Sequence, residues 1–279
     1  MSDILILGGD RRLQYVADII GEKYDTEIYT TDFLELFSGE KRRYKAIILG
    51  IPCSADKENV NIPLSAEKLP FERLTEIVDK KGIILGGMIP EKLYSVCENE
   101  NIICEDYYKS EAVILKNAVP SAEGALALGI NMTAKTIKGA EVLITGYGRI
   151  ASLLAKYLLS MGASVTVAAR KEEKRVLAEI NGCKAIDFSE LHRNIKDKTL
   201  IYNTVPSVVF DEKAVSLISR KAVYIELASM SGADIVLCRK YGVNYINGGG
   251  MPSKTAPETA GEIIAEAIMK LLDKHSGVI

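Results

Sequence analysis

Short apolar runs alternate along the chain with stretches in which apolar residues recur every three or four positions, a pattern that predicts strands and helices laid down in turn. In the first half the strand-like runs fall at 3–7, 26–30, 45–51, 82–85 and 102–104. In the second they fall at 141–145, 164–168, 184–186, 199–202, 222–227 and 243–246. Leu13, Val16, Ala17 and Ile20 mark a first helix, and further helical stretches are expected at 71–79 and 91–97. A strongly apolar helix is expected from Ala118 to about Thr136, with Pro120 near its start and Glu123 in its first turn. A last one spans 257–272, with Ile263, Ile264, Ala267, Ile268 and Leu271 on one face. Strand-helix alternation of this kind builds parallel sheets covered on both faces. The fold class is therefore α/β with two doubly wound parallel-sheet domains. At 279 residues, 48% of them hydrophobic, the chain can fill two cores. We place an α/β substrate or partner domain at 1–117, and the linking helix, the second sheet and the C-terminal helix at 118–279.

The run at 141–145 leads into Gly146-Tyr147-Gly148-Arg149-Ile150-Ala151. In this G-x-G-x-x-A pattern the first glycine permits a tight turn, the second lets a pyrophosphate reach the backbone, and the alanine lets helix and strand pack closely. The second domain thus reads as a six-stranded Rossmann dinucleotide-binding domain, with Gly146, Gly148, Arg149 and Ile150 at the cofactor. Close strand-helix packing without a ligand is the competing account. After the next strand, where an NAD enzyme usually carries an acid for the ribose 2′-hydroxyl, stand Ala169, Arg170 and Lys171. A guanidinium there suits a 2′-phosphate, which favours NADP with NAD possible; a plain surface pair at a helix start is the alternative. Asn203, Thr204, Val205 and Pro206 follow the fourth strand of this domain, and Ala228 and Ser229 the fifth, where such sheets present loops to a cofactor. An ordinary turn explains Asn-Thr-Val-Pro equally well. The glycine-rich stretch 248–261, with Met251, suits an anion or a nicotinamide amide, or a hinge.

In the first domain Gly8-Gly9 is followed by Asp10 and does not complete a pyrophosphate motif. Asp10 suits a helix N-cap and Arg11 an anion. The polar loop at 52–70 is long. Lysine and arginine total 35 against 37 acids and form no basic block, so nucleic acid is not expected as a partner. The five cysteines are scattered without a C-x-x-C pair, which argues for reduced thiols and no metal. No signal core and no apolar run approaching ~18 residues is seen, so a cytoplasmic protein off the membrane is expected. His192 lies in a polar segment and His275 in the tail, and neither reads as a general base. The catalytic residue is left unnamed.

Taken in order, Gly8-Gly-Asp10, Pro120-Ser-Ala-Glu123-Gly124, Gly146-Tyr-Gly148-Arg149, Ala169-Arg170, Asn203-Thr-Val-Pro206-Ser207, Leu227-Ala-Ser229 and Ala256-Pro-Glu-Thr-Ala-Gly261 resemble the landmarks of the dipicolinate synthase family, in its nucleotide-binding A component. Met230-Ser-Gly-Ala-Asp234 and Gly248-Gly-Gly-Met251 depart from them. The resemblance implies a sporulation oxidoreductase of the mother-cell cytoplasm. It would oxidise a dihydrodipicolinate-type ring, a small cyclic dicarboxylate, to pyridine-2,6-dicarboxylate with a nicotinamide acceptor. The flavoprotein-like B component of the synthase would be its partner in a homo- or hetero-oligomer. Asp10, Arg11, Ser121 and Glu123 are then the substrate-binding candidates. The alternatives that the residues themselves leave open are an alanine- or shikimate-dehydrogenase-like enzyme and a non-catalytic nucleotide-binding protein.

Overall fold

The computed structural model of the chain describes residues 3–38 and 42–277. It divides into two compact units, Met1–Asn117 with Ala256–Ile279, and Ala118–Thr255. In the first unit β1 (Ile4–Leu7), β2 (Thr26–Tyr29), β3 (Tyr44–Leu49), β4 (Val78–Gly86) and β5 (Ile103–Asp106) alternate with α1 (Arg12–Gly21) and α2 (Glu91–Asn99). The helix α3 (Glu111–Met132) runs through the boundary. The second unit contains β6 (Glu141–Thr145), α4 (Arg149–Ser160), β7 (Ser164–Ala168), α5 (Glu172–Ile180), β8 (Lys184–Ile186) and α6 (Leu191–Asn194). It continues with β9 (Leu200–Asn203), α7 (Glu212–Leu217), β10 (Val223–Glu226), α8 (Ile235–Tyr241), β11 (Asn244–Asn247) and α9 (Met251–Thr255). The long helix α10 (Pro257–Lys274) follows.

Both sheets are parallel, ordered β2-β1-β3-β4-β5 and β11-β10-β9-β6-β7-β8. Burial on both faces explains why inner strands such as β1 and β6 are almost continuously apolar. In β1, Leu5 and Leu7 point into one core and Ile4 and Ile6 into the other; in β6, Val142 and Ile144 oppose Leu143 in the same way. Numbered within its own unit, the second sheet has the order 6-5-4-1-2-3, that of the dinucleotide-binding doubly wound fold. Its strand order reverses between β6 and β9, and a ligand crevice lies beyond the carboxyl ends of the strands at such a point.

Several sequence expectations change. The helix placed at 71–79 is a 3-10 turn at Phe71–Glu76, after which β4 begins at Val78. The helix expected to open near Pro120 starts at Glu111, so Pro120 lies inside it. Proline there gives up one backbone hydrogen bond, that to the Lys116 carbonyl four residues earlier. At 22 residues and with a mean hydropathy of 1.2 over its best window, α3 is long and apolar enough to cross a membrane, contrary to the expectation of no such run. Half of that window is buried, and Ala122 and Ala125 pack into the core of the second unit, the placement of a core helix. Finally, α10 groups with the first unit, not the second as expected: Ile264, Ala265, Ile268 and Leu272 join Ile4, Ile6, Leu13 and Val16.

A candidate dinucleotide-binding site

The carboxyl ends of β6, β9 and β10 place Thr145, Asn203 and Glu226 side by side in register. All three are buried. Thr145 donates its hydroxyl to the Asn203 amide oxygen. Asn203 in turn donates to Glu226 Oε1 at 2.7 Å and to the Val205 carbonyl at 3.0 Å, while its Oδ1 accepts from Val205 N at 3.1 Å. This polar row is saturated from within and sets the floor from which the loops rise.

The turn after β6 has the geometry that a phosphate requires. Gly146 has φ +84° and sits against Thr204 and Val205, where a Cβ would lie 2.6 Å from the Thr204 hydroxyl. Gly148 differs: its backbone is extended, and an added Cβ would meet nothing within 4 Å. Packing within the protein therefore does not call for glycine at 148, whereas a ligand lying on the backbone would. Gly148 is also the N-cap of α4, with no side-chain cap and no acid in the first turn. A helix start of this kind, without a side-chain cap or an acid of its own, favours an anion. Ala151 is buried at the strand-helix contact. Arg149 and Gly148 are exposed and Ile150 is half-buried.

Beyond β7, Ala169 is buried while Arg170 and Lys171 are exposed. The Arg170 guanidinium has no partner among the described residues, and Lys171 only a long contact of 3.8 Å to Glu173. The loop itself is clamped by Arg175, which sequence reading overlooked. Its Nη1 donates to the carbonyls of Ala169 and Arg170 at 2.8 and 2.7 Å and meets Asp187 Oδ2 at 2.9 Å. Asp187, held below the usual carboxylate range by the Ser189 N–H and hydroxyl, also forms a capping box with Glu190.

Thr204, Pro206, Ala228 and Ser229 stand on the loops above the polar row, with Pro206 and Ser229 exposed. The Thr204 hydroxyl is taken by the Thr145 carbonyl at 2.7 Å. Asn203, expected to line the cofactor, lies under the site with its amide committed inside. Met251 is not on an open loop but on α9, buried, where it packs on α3 at Gly124.

The substrate candidates are divided between the two units, Asp10 and Arg11 in the first and Ser121 and Glu123 in the second. Asp10 accepts from the backbone N–H of Arg12 and grips its guanidinium at 2.8 and 2.7 Å. Arg11 occupies the N-cap position of α1 and is exposed. The buried cation is Arg12, which also donates to the Ile51 carbonyl at 2.6 Å. Its spacing with Val16 and Ile20 along the buried face of α1 was the available signal. Ser121 and Glu123 lie in mid-helix, buried and exposed respectively, so the helix start expected to offer free amides there does not exist. His192 meets Asp211 Oδ1 at 2.9 Å, and His275 meets Glu105 at 2.7 Å.

Residues 3–108 match the N-terminal domain of the dipicolinate synthase A component. Residues 130–229 match the shikimate/quinate 5-dehydrogenase family. A curated relative, the A component of dipicolinate synthase from Bacillus subtilis, is 27% identical over 96% of this chain and 95% of its own length. Along its full length the chain is related to this dipicolinate synthase component. The crystal structure of the same component from Bacillus halodurans superposes with a TM-score of 0.84 at 24% identity, covering 96% of this chain and 97% of that one. An NAD-dependent formate dehydrogenase from Staphylococcus aureus, solved with NAD, shares the fold with a TM-score of 0.58 at 13% identity, covering 98% and 95%. The second unit therefore has the Rossmann fold of nicotinamide-dependent dehydrogenases, a fold that suits a dinucleotide cofactor.

Proposed function

We propose that the chain is the NADP-dependent oxidoreductase component of a synthase that oxidises a dihydrodipicolinate-type ring to pyridine-2,6-dicarboxylate during sporulation, in the cytoplasm of the mother cell, together with a flavoprotein-like B component. The observation that carries the nucleotide part is Gly148, a glycine at an uncapped helix start that the protein's own packing leaves unexplained. The substrate part rests on the full-length relationship to the B. subtilis protein. A bound nicotinamide dinucleotide would supply the hydride acceptor. Gly146 and Gly148 with the start of α4 would hold its pyrophosphate, Arg170 its 2′-phosphate, and the loops at 204–206 and 228–229 its second ribose and ring. Arg11 is the preferred carboxylate partner for substrate, being exposed at the carboxyl end of β1. Because ring aromatisation drives the reaction, the protein's work in this reading is orientation and exclusion of water, with no strong base required.

The test is the appearance of pyridine-dicarboxylate absorbance with purified chain, with and without the B component, using NADP or NAD. NADP should serve better. Arg170→Asp should narrow or reverse that preference by about tenfold or more, since a charge-assisted phosphate contact is worth about 1.5–3 kcal/mol. Turnover of a shikimate- or alanine-type substrate instead would favour the reading that the match over 130–229 supports.

A further inference from the structure

Glu226 ends β10, 3% exposed, in a setting made almost wholly of donors. Asn203 Nδ2 and Ala228 N reach its Oε1 at 2.7 and 3.0 Å. Gly232 N and the Tyr224 hydroxyl reach its Oε2 at 2.7 and 3.1 Å. Ser231 Oγ lies 3.5 Å from Oε2 and donates to the Ala233 carbonyl at 2.6 Å. Three of these neighbours are N–H groups with no lone pair to offer, so the pocket fits a carboxylate, and the amide of a glutamine would set donor against donor. Among the described residues no cation pairs with it. A buried carboxylate without a counter-ion costs free energy that an apolar or neutral residue at the end of this strand would avoid.

The place of this charge suggests what it serves. Glu226 is in register with Asn203 and, through it, with Thr145 at the foot of the glycine turn. Arg170 marks the ribose-phosphate side of the crevice beyond β7, so the other half of a dinucleotide falls over β9 and β10. That half carries a ring that is cationic when oxidised and neutral when reduced. We propose that Glu226 is a fixed negative charge that makes the second unit hold the oxidised dinucleotide more tightly than the reduced one. The inference rests on the nucleotide reading above and makes Glu226 a positioning residue, since the Asn203 and Ala228–Gly232 segments stand between it and the crevice. Even at about 10 Å and an effective dielectric constant of ~20, a unit charge changes a binding ratio by roughly tenfold.

The experiment measures dissociation constants for NADP and NADPH, by calorimetry and by reduced-cofactor fluorescence, on the whole chain and on Glu226→Gln and Glu226→Asp. The wild type should favour NADP by about tenfold or more. Glu226→Gln should bring the ratio toward one, mainly by weakening NADP, whereas Glu226→Asp, which keeps the charge, should preserve the ratio even if both affinities fall. A wild-type ratio near one overturns the inference, as does a glutamine variant in which both forms weaken equally, which would leave Glu226 a brace for its loops. If the glutamine variant does not fold, the wild-type ratio and the aspartate variant decide. Failure of both cofactor forms to bind the wild type sinks the nucleotide reading itself, and this inference with it.

Discussion

Two glycines show how a residue's surroundings separate structure from ligand. At Gly129 on α3 a Cβ would come within 1.9 Å of the Tyr202 hydroxyl, so Gly129→Ala must move a fully buried ring. We expect a loss of about 1–3 kcal/mol, read as a lowered Tm, with little direct effect on cofactor contacts. At Gly148 the same atom meets nothing. Gly148→Val should lower the Tm only by the modest loss of a glycine N-cap yet weaken dinucleotide binding by about a hundredfold or more, measured by titration; unchanged affinity would remove the main support for the nucleotide site. The glycine pattern was legible in the sequence because its spacing reflects backbone chemistry. The roles of Arg11 and Arg12, by contrast, are set by which side of the first turn of α1 faces the core. Asn203 was found by position, but strand register directs its amide inward to Glu226 and Val205.

At the scale of elements, the strand limits at 141–145, 164–168 and 184–186 agree with the expected runs, and for the first two burial on both faces leaves a nearly unbroken apolar signal. The start of α3 was missed because proline marks helix starts more often than interiors, and only tertiary packing carries the helix past it. Nor could periodicity assign α10: an amphipathic face announces that something covers it, not which core does. The contact of α5 with the loop before it was equally silent, since Arg175 reaches back five and six residues to two carbonyls. Arg175→Ala should loosen the segment carrying Arg170. The expected outcome is a narrower NADP preference with Arg170 still present and a modest fall in Tm; titration of both cofactors checks it, and an unaltered preference would show the loop holds its shape without the clamp.

For the whole molecule, acid stability follows from several carboxylates held below their ordinary range. Asp211 is lowered by the Ala214 N–H and then His192, Asp56 by the N–H of Glu58 and the Asn59 side chain, and Glu266, to about 2, by Lys116 and then Lys270. Depressed groups contribute above their unfolded values, near ~4. That contribution fades as pH falls from about 4 toward 2. Thermal melts should therefore be flat in this respect above pH ~5 and drop below it, each exposed group adding little; a Tm that rises on acidification through this range would contradict the assignment. The first unit is interrupted, and this bears on biosynthesis. The chain leaves that unit at Asn117 and returns only at Ala256, so a ribosome finishes the inserted unit before the surrounding one is whole. Until α10 emerges, Leu13 and Val16 of α1 and Ile4 and Ile6 of β1 lack the helix that covers them. A chain stopped at Thr255 should accordingly keep a protease-resistant, dinucleotide-binding fragment from the middle of the gene product, while its oldest residues, made first, are the ones digested.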